Sequence, residues 1–123
     1  MAERKTQQRD AIRLVLAAAD RPLSPQEVLK TARRKSPGLG IATVYRALKS
    51  LSDEGFLVPV DLPGEASRFE LAGKKHHHHF HCRDCGRAFD LEGCVPAVHK
   101  LAPKGFRVED HEVVLYGLCA ACA

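Results

Sequence analysis

The sequence predicts an α+β chain: a helical, basic first half followed by a strand-rich second half that carries the cysteines and most of the histidines. Three observations support this. Apolar residues recur at helical spacing up to about residue 54, then alternate in short runs between turn residues. Charge divides the same way. Residues 1–60 hold eleven Lys and Arg against six Asp and Glu, and residues 61–123 hold eight against nine. All five cysteines lie at or beyond position 82. The length of 123 residues points to one or two small domains. An apolar fraction of 45% suffices for a core and is too high for a disordered chain. No apolar run nears the roughly 18 residues of a membrane span. The opening MAERKTQQRD has no secretory apolar stretch, so a cytoplasmic protein with no membrane partner is expected.

In Thr6–Asp20, Ile12, Val15, Leu16 and Ala19 form one apolar stripe, and Asp20-Arg21-Pro22 ends the helix. Ser24-Pro25-Gln26-Glu27 reads as a capping box that starts a second helix running to about Lys35. Ser36 to Gly40 is a turn. A third helix runs from Ile41 or Ala42 to about Glu54, with Ile41, Val44, Leu48 and Leu51 as its buried stripe and Gly55 at its end. Arg46 lies opposite that stripe, Thr43, Lys49 and Ser50 share the exposed side, and Tyr45 flanks it. Phe56–Asp61 and Ser67–Leu71 read as two strands joined by the turn Leu62-Pro63-Gly64-Glu65.

Three helices and a hairpin describe a winged helix-turn-helix, whose third helix would enter the major groove of double-stranded DNA. The strand-rich remainder has exposed sheet edges and little core, which dimerisation would cover. The expected division is a DNA-binding domain over 1–60, a hinge over 61–66 and a small α/β dimerisation domain over 67–123. In the last of these, a short helix starts near Cys94 with Pro96 in its first turn and ends by Pro103-Lys104-Gly105. A final strand, opened by Phe106-Arg107-Val108, runs from Val108 to Leu118 and carries His111.

The cysteines form two C-x-x-C pairs, Cys82/Cys85 and Cys119/Cys122, with Cys94 left over. Two such pairs a few dozen residues apart in a cytosolic chain read as a tetrahedral four-thiolate zinc site, structural because no coordination position is open. A thioredoxin-like dithiol would need one pair at a helix start, whereas both pairs here end strand-like segments. Five histidines stand in His76-His77-His78-His79-Phe80-His81. On a strand, His76 and His78 face one way and His77, His79 and His81 the other, so one strand can feed two metal sites. Glu70, Asp90, Glu92, Cys94 and His111 are the nearby donors, and mixed His and carboxylate ligation suits exchangeable Zn²⁺ or Fe²⁺. No H-E-x-x-H and no Ser or Cys nucleophile constellation argues for a metalloenzyme. A redox-switched zinc protein is the other remote alternative, resting on Cys94 as a loose thiol.

The run Ala42-Thr43-Val44-Tyr45-Arg46-Ala47-Leu48, the histidine run before Cys82-x-x-Cys85-Gly86, and the closing Cys119-x-x-Cys122 resemble the ferric uptake regulator family. The resemblance spans nearly the whole chain. It implies a dimeric, metal-sensing repressor with an N-terminal winged helix, and a structural zinc at the four paired cysteines. It further implies a sensing site at Glu70, His77, His79 and Asp90, and another site at His76, His78 and His111. DNA contacts fall to Tyr45 and Arg46, with Arg9 on phosphate and Arg4 in the minor groove. Two departures bear on the metal. Many members supply a sensing-site histidine where this chain has Pro22, which leaves four ligands and favours tetrahedral Zn²⁺ over Fe²⁺. The acidic ligand of the further site has no clear counterpart; Glu92 or Cys94 is nearest, and a metal-bound thiolate at Cys94 would also favour zinc. The reading is a homodimeric, zinc-responsive repressor of metal-uptake genes on a palindromic A/T-rich operator, with an iron-responsive or peroxide-sensing regulator as the alternative.

Overall fold

A computed structural model of the chain describes residues 2–95 and 97–123. The chain divides into two units, Met1–Gly73 and Lys74–Ala123.

The first unit holds three helices, α1 (Ala2–Ala18), α2 (Pro25–Ala32) and α3 (Ile41–Asp53), and the strands β1 (Leu57–Val60) and β2 (Arg68–Leu71). Ile12 and Leu16 of α1, Val28 of α2, and Val44, Leu48 and Leu51 of α3 are each no more than 1% exposed and meet in one core. Ile41, expected in that stripe, is exposed because it stands at the first position of its helix. The capping box forms as read: Ser24 Oγ accepts from Glu27 N–H at 3.2 Å, and Ser24 N–H donates to Glu27 Oε1 at 3.0 Å. The second helix ends at Ala32, short of Lys35, because the next amides tighten into bonds to residues three back: Arg34 N–H to Thr31 O and Lys35 N–H to Ala32 O.

Strands β1 and β2 pair antiparallel, with Leu57 opposite Leu71 and Val60 opposite Arg68. Leu23 and Phe69 exchange two 2.9 Å backbone bonds, which ties this wing to the segment between α1 and α2. The expected boundary is corrected by these pairings. Residues 61–66 are the connection of the wing hairpin, not a hinge between units. The returning strand belongs to the first unit because its ladder partners are there.

The second unit is a three-stranded sheet in the order β4-β3-β5, built from β3 (His78–Cys82), β4 (Ala88–Leu91) and β5 (Val114–Gly117), with a 3₁₀ turn at Val98–Leu101. Strand β3 pairs antiparallel with β4 and parallel with β5. The last strand is shorter than expected. Strand β3 begins at His78 and its His79 N–H already bonds Val113 O, so residues 107–112 have no strand opposite them. His111 therefore lies in an irregular approach to β5. The short helix also starts later than Cys94, and Pro96 lies outside the described residues. No helix among the described residues is long and apolar enough to cross a membrane.

Candidate metal centres and nucleic-acid face

Parallel pairing of His79–Cys82 with Val114–Gly117 sets the ends of β3 and β5 side by side. Each strand then runs into its C-x-x-C turn. Gly86, at φ 76°, closes the first, with its N–H on Cys82 O at 3.0 Å, and Cys122 N–H bonds Cys119 O at 3.0 Å in the second. A residue with a Cβ would be strained at that Gly86 angle. The four sulfurs lie within 4.8 Å of one another, and Cys85 Sγ is 3.9 Å from Cys119 Sγ. A zinc–sulfur bond of about 2.3 Å gives a tetrahedral edge of about 3.8 Å, so the donor set fits zinc. Cys119 N–H points at Cys82 Sγ at 3.4 Å and, against the opposing effect of burial, lowers the Cys82 thiol to about 6. Cys122 is pushed up to about 12, chiefly by its hydrogen bond with Cys119. One sulfur is thus favoured as a thiolate, while the other releases its proton to solvent when a cation takes its place.

The histidines divide between two groups as expected, with His76 and His77 in the segment just before β3. On one face, His77 Nε2 and His79 Nε2 lie 3.5 and 3.4 Å from Asp90 Oδ1. Asp90 is brought there by its register opposite His79 on β4. His77 donates its Nδ1–H to Lys75 O at 2.7 Å, which fixes the ring tautomer and turns the Nε2 lone pair toward the carboxylate. A proton on Nε2 or a metal cation between the two atoms satisfies both of them. Zinc–ligand bonds of about 2.0–2.1 Å give a tetrahedral edge of about 3.3 Å, close to both separations. Lys74 Nζ donates to the other oxygen, Asp90 Oδ2, at 2.5 Å. Glu70 stands on β2 of the first unit and is buried.

On the other face, His76 Nε2 lies 3.2 Å from both His78 Nε2 and His111 Nε2, and Cys94 Sγ lies 2.9 Å from His111 Nε2 and 3.5 Å from His78 Nε2. Glu92 stays exposed and outside this group; Gly93 turns the chain at φ 89°, and Cys94 faces the rings instead. Burial, then the neighbouring rings of His76 and His111, hold His78 below the usual imidazole value. Val113 N–H donates to His78 Nδ1 at 3.1 Å, which places the ring proton on Nε2. Ligation through Nε2 requires that amide bond to be given up.

On α3, Tyr45, Arg46 and Lys49 are exposed and Thr43 is half-buried, with its Oγ1 accepting from Arg46 Nη2 at 3.1 Å. Arg4 is exposed on α1, beside Gly38. Arg9 is engaged within the unit: it donates to Ser50 Oγ at 2.8 Å and forms an ion pair with Glu54. Sequence reasoning missed Lys74 and the Lys75 carbonyl. The only signal for them was their position immediately before the histidine run.

The family model for the ferric uptake regulator family matches residues 2–116. The ferric uptake regulation protein of Bacillus subtilis is 32% identical over 124 residues, covering 95% of this chain and 83% of its own. A zinc-bound manganese uptake regulator superposes with a TM-score of 0.77 at 26% identity, over 91% of this chain and 87% of its own. FurB from M. tuberculosis, a zinc uptake regulator, superposes with a TM-score of 0.55 at 30% identity, over 98% and 95%. The match extends from the first helix through the wing and both histidine faces into β5. With this fold and these donor clusters, the chain belongs to the ferric uptake regulator family and is a metal-responsive transcription regulator, not an enzyme.

Proposed function

We propose that this regulator is a zinc-responsive repressor of metal-uptake genes. The observation that carries the reading is the face-to-face arrangement of His77 Nε2, with its tautomer fixed by Lys75 O, and Asp90 Oδ1, with His79 Nε2 at 3.4 Å. Two nitrogens each near a tetrahedral-edge separation from one carboxylate oxygen suit Zn²⁺ better than an ion that demands six ligands. Glu70 is the fourth ligand implied by the family resemblance, and Pro22 supplies none. The four cysteines hold a structural Zn²⁺. The His76, His78, Cys94 and His111 group is a further metal site, weaker for the amide bond that occupies His78 Nδ1.

Metal binding shifts the population toward the DNA-competent state, so apparent operator affinity rises with the loaded fraction. Tyr45, Arg46, Thr43 and Lys49 form the face toward bases and phosphates, with Arg4 as a further contact. Arg9, engaged by Glu54, reaches phosphate only if that pair opens. The acting form is a homodimer on a palindromic A/T-rich duplex. Leu115, Tyr116 and Leu118, on and just after the edge strand β5, are 41–53% exposed and offer apolar area for a second copy.

The test is duplex binding by the full chain after mild chelation that leaves the four-thiolate zinc in place. Buffered Zn²⁺ and then anaerobic Fe²⁺ are titrated against a palindromic probe. Binding restored by Zn²⁺ at far lower free concentration than Fe²⁺ is expected, and the reverse order would return the protein to iron or peroxide sensing. A Glu70→Ala variant that kept full Zn²⁺ response would remove Glu70 from the ligand set.

A further inference from the structure

We propose that Lys74 is a metal-specificity residue: by holding Asp90 Oδ2 it limits Asp90 to a single ligating oxygen and keeps the site four-coordinate. This rests on the sensing-site reading above. A carboxylate can offer one oxygen or two, and the choice changes the coordination number of the ion it binds. Here the two oxygens have different partners. Oδ1 faces the imidazoles at 3.4 and 3.5 Å, and Oδ2 is 2.5 Å from the Lys74 ammonium. Both side chains of that ion pair are largely shielded, Lys74 at 25% and Asp90 at 17% exposure, so solvent screens the pair weakly.

The adjacent Lys75 fixes the other ligand through its backbone, since its carbonyl accepts from His77 Nδ1–H. The Lys74-Lys75 pair therefore orients one carboxylate and one imidazole from a single stretch of chain. An ion requiring five or six donors needs the second oxygen, or waters in its place. To take the second oxygen it must displace an ammonium, whereas tetrahedral Zn²⁺ leaves the pair intact. Charge alone would make Lys74 oppose every divalent ion equally. The selective effect comes from which oxygen it occupies.

The test uses Co²⁺ as a spectroscopic probe in the full chain with the four-thiolate zinc retained. Cys94→Ala and His111→Ala substitutions keep the other histidine face silent. Four-coordinate Co²⁺ absorbs strongly in the visible, and six-coordinate Co²⁺ weakly. The parent should give the strong bands. Lys74→Met should weaken them and raise the affinity for Mn²⁺ relative to Zn²⁺ by about 10-fold or more, the scale of outer-shell substitutions. Lys74→Arg should restore the parent spectrum. Lys104→Met removes an equal charge from an exposed lysine of the same unit and should leave both spectrum and ratio unchanged. Identical bands in the parent and Lys74→Met, or the same shift in Lys104→Met, would overturn the proposal. Cobalt titrations unchanged by His79→Ala would overturn the sensing-site reading itself, and the role of Lys74 with it.

Discussion

The two units of this chain are held together by different means. In the first, eleven buried apolar residues from Ala11 to Leu57 form one core. In the second, the buried residues among those described are Cys82, Ala88, Cys119 and His78, three of them members of the candidate donor clusters. Leu101, Phe106, Leu115, Tyr116 and Leu118 of the second unit are all more than 40% exposed. A unit of this size sits near the lower limit at which hydrophobic burial alone sustains a fold. On the proposed reading, ligand bonds to an ion would do there what leucines do in the first unit, and the donor clusters would serve structure as well as sensing.

The strongest way to break this contrast is to remove the structural ion. Cys82→Ser should cost the second unit roughly 10 kcal/mol or more of metal-linked folding free energy, enough to unfold it and abolish dimerisation. Amide exchange should show β3, β4 and β5 unprotected while α1 to α3 stay protected. Persisting protection across β3 without bound zinc would mean that the sheet has a sufficient core after all. The reciprocal experiment acts on the other unit. Leu48 is fully buried in α3, and Leu48→Ala should cost about 2–5 kcal/mol through the lost contacts and the cavity left behind. That loss should appear in the thermal unfolding of the helices, with zinc content unchanged.

The same contrast decides what the sequence could reveal. Helical spacing located all three helices, and the capping box located the start of α2 to the residue, because those signals are local. Strand alternation assigned His76 and His78 to one face and His77 and His79 to the other, and the structure has this arrangement. What failed was set by partners distant in sequence. The end of the wing and the length of the last strand depend on which residues have a strand opposite them, and no local pattern near 66 or 108 records that. The choice between Glu92 and Cys94 turned on the backbone turn at Gly93. Lys74 was invisible because a lysine beside a histidine run is ordinarily a solvated charge, and only its 2.5 Å approach to Asp90 sets it apart. The expected phosphate contact of Arg9 meets a similar obstacle in its ion pair with Glu54, forty-five positions away.

A smaller effect sharpens the contrast on the side of the nucleic-acid face. Arg46 is exposed and its only intramolecular bond among the described contacts is to Thr43. Arg46→Ala should therefore leave the unfolding of both units unchanged and weaken operator binding by about 1–3 kcal/mol, with relaxed preference at one position, if the guanidinium reads a base. If it contacts phosphate, affinity falls evenly across sequences and the salt slope drops by about one. Salt-dependent titrations on the operator and a scrambled duplex separate these outcomes, and unchanged binding on both would remove Arg46 from the interface.

The smallest effect lies within the first unit, at the start of α2. Ser24→Ala removes the hydroxyl that accepts the Glu27 amide and should cost about 1 kcal/mol, a loss visible in helix unfolding but not in metal content. Glu27 makes the same corner sensitive to pH. Burial acts to raise its carboxyl, but Ser24 N–H at 3.0 Å and Arg21 at 2.6 Å outweigh that, and its value lies below the ordinary 4.5. A carboxyl lowered on folding contributes stability in full above its unfolded value and loses it as pH falls through the folded value. The stability difference between the parent chain and Glu27→Gln should thus be constant above about pH 4.5 and shrink below it. Thermal unfolding of the helices measured through that range tests this. A difference that stayed flat into acid would mean that the carboxylate charge contributes nothing and that the helix start rests on the Ser24 hydroxyl alone.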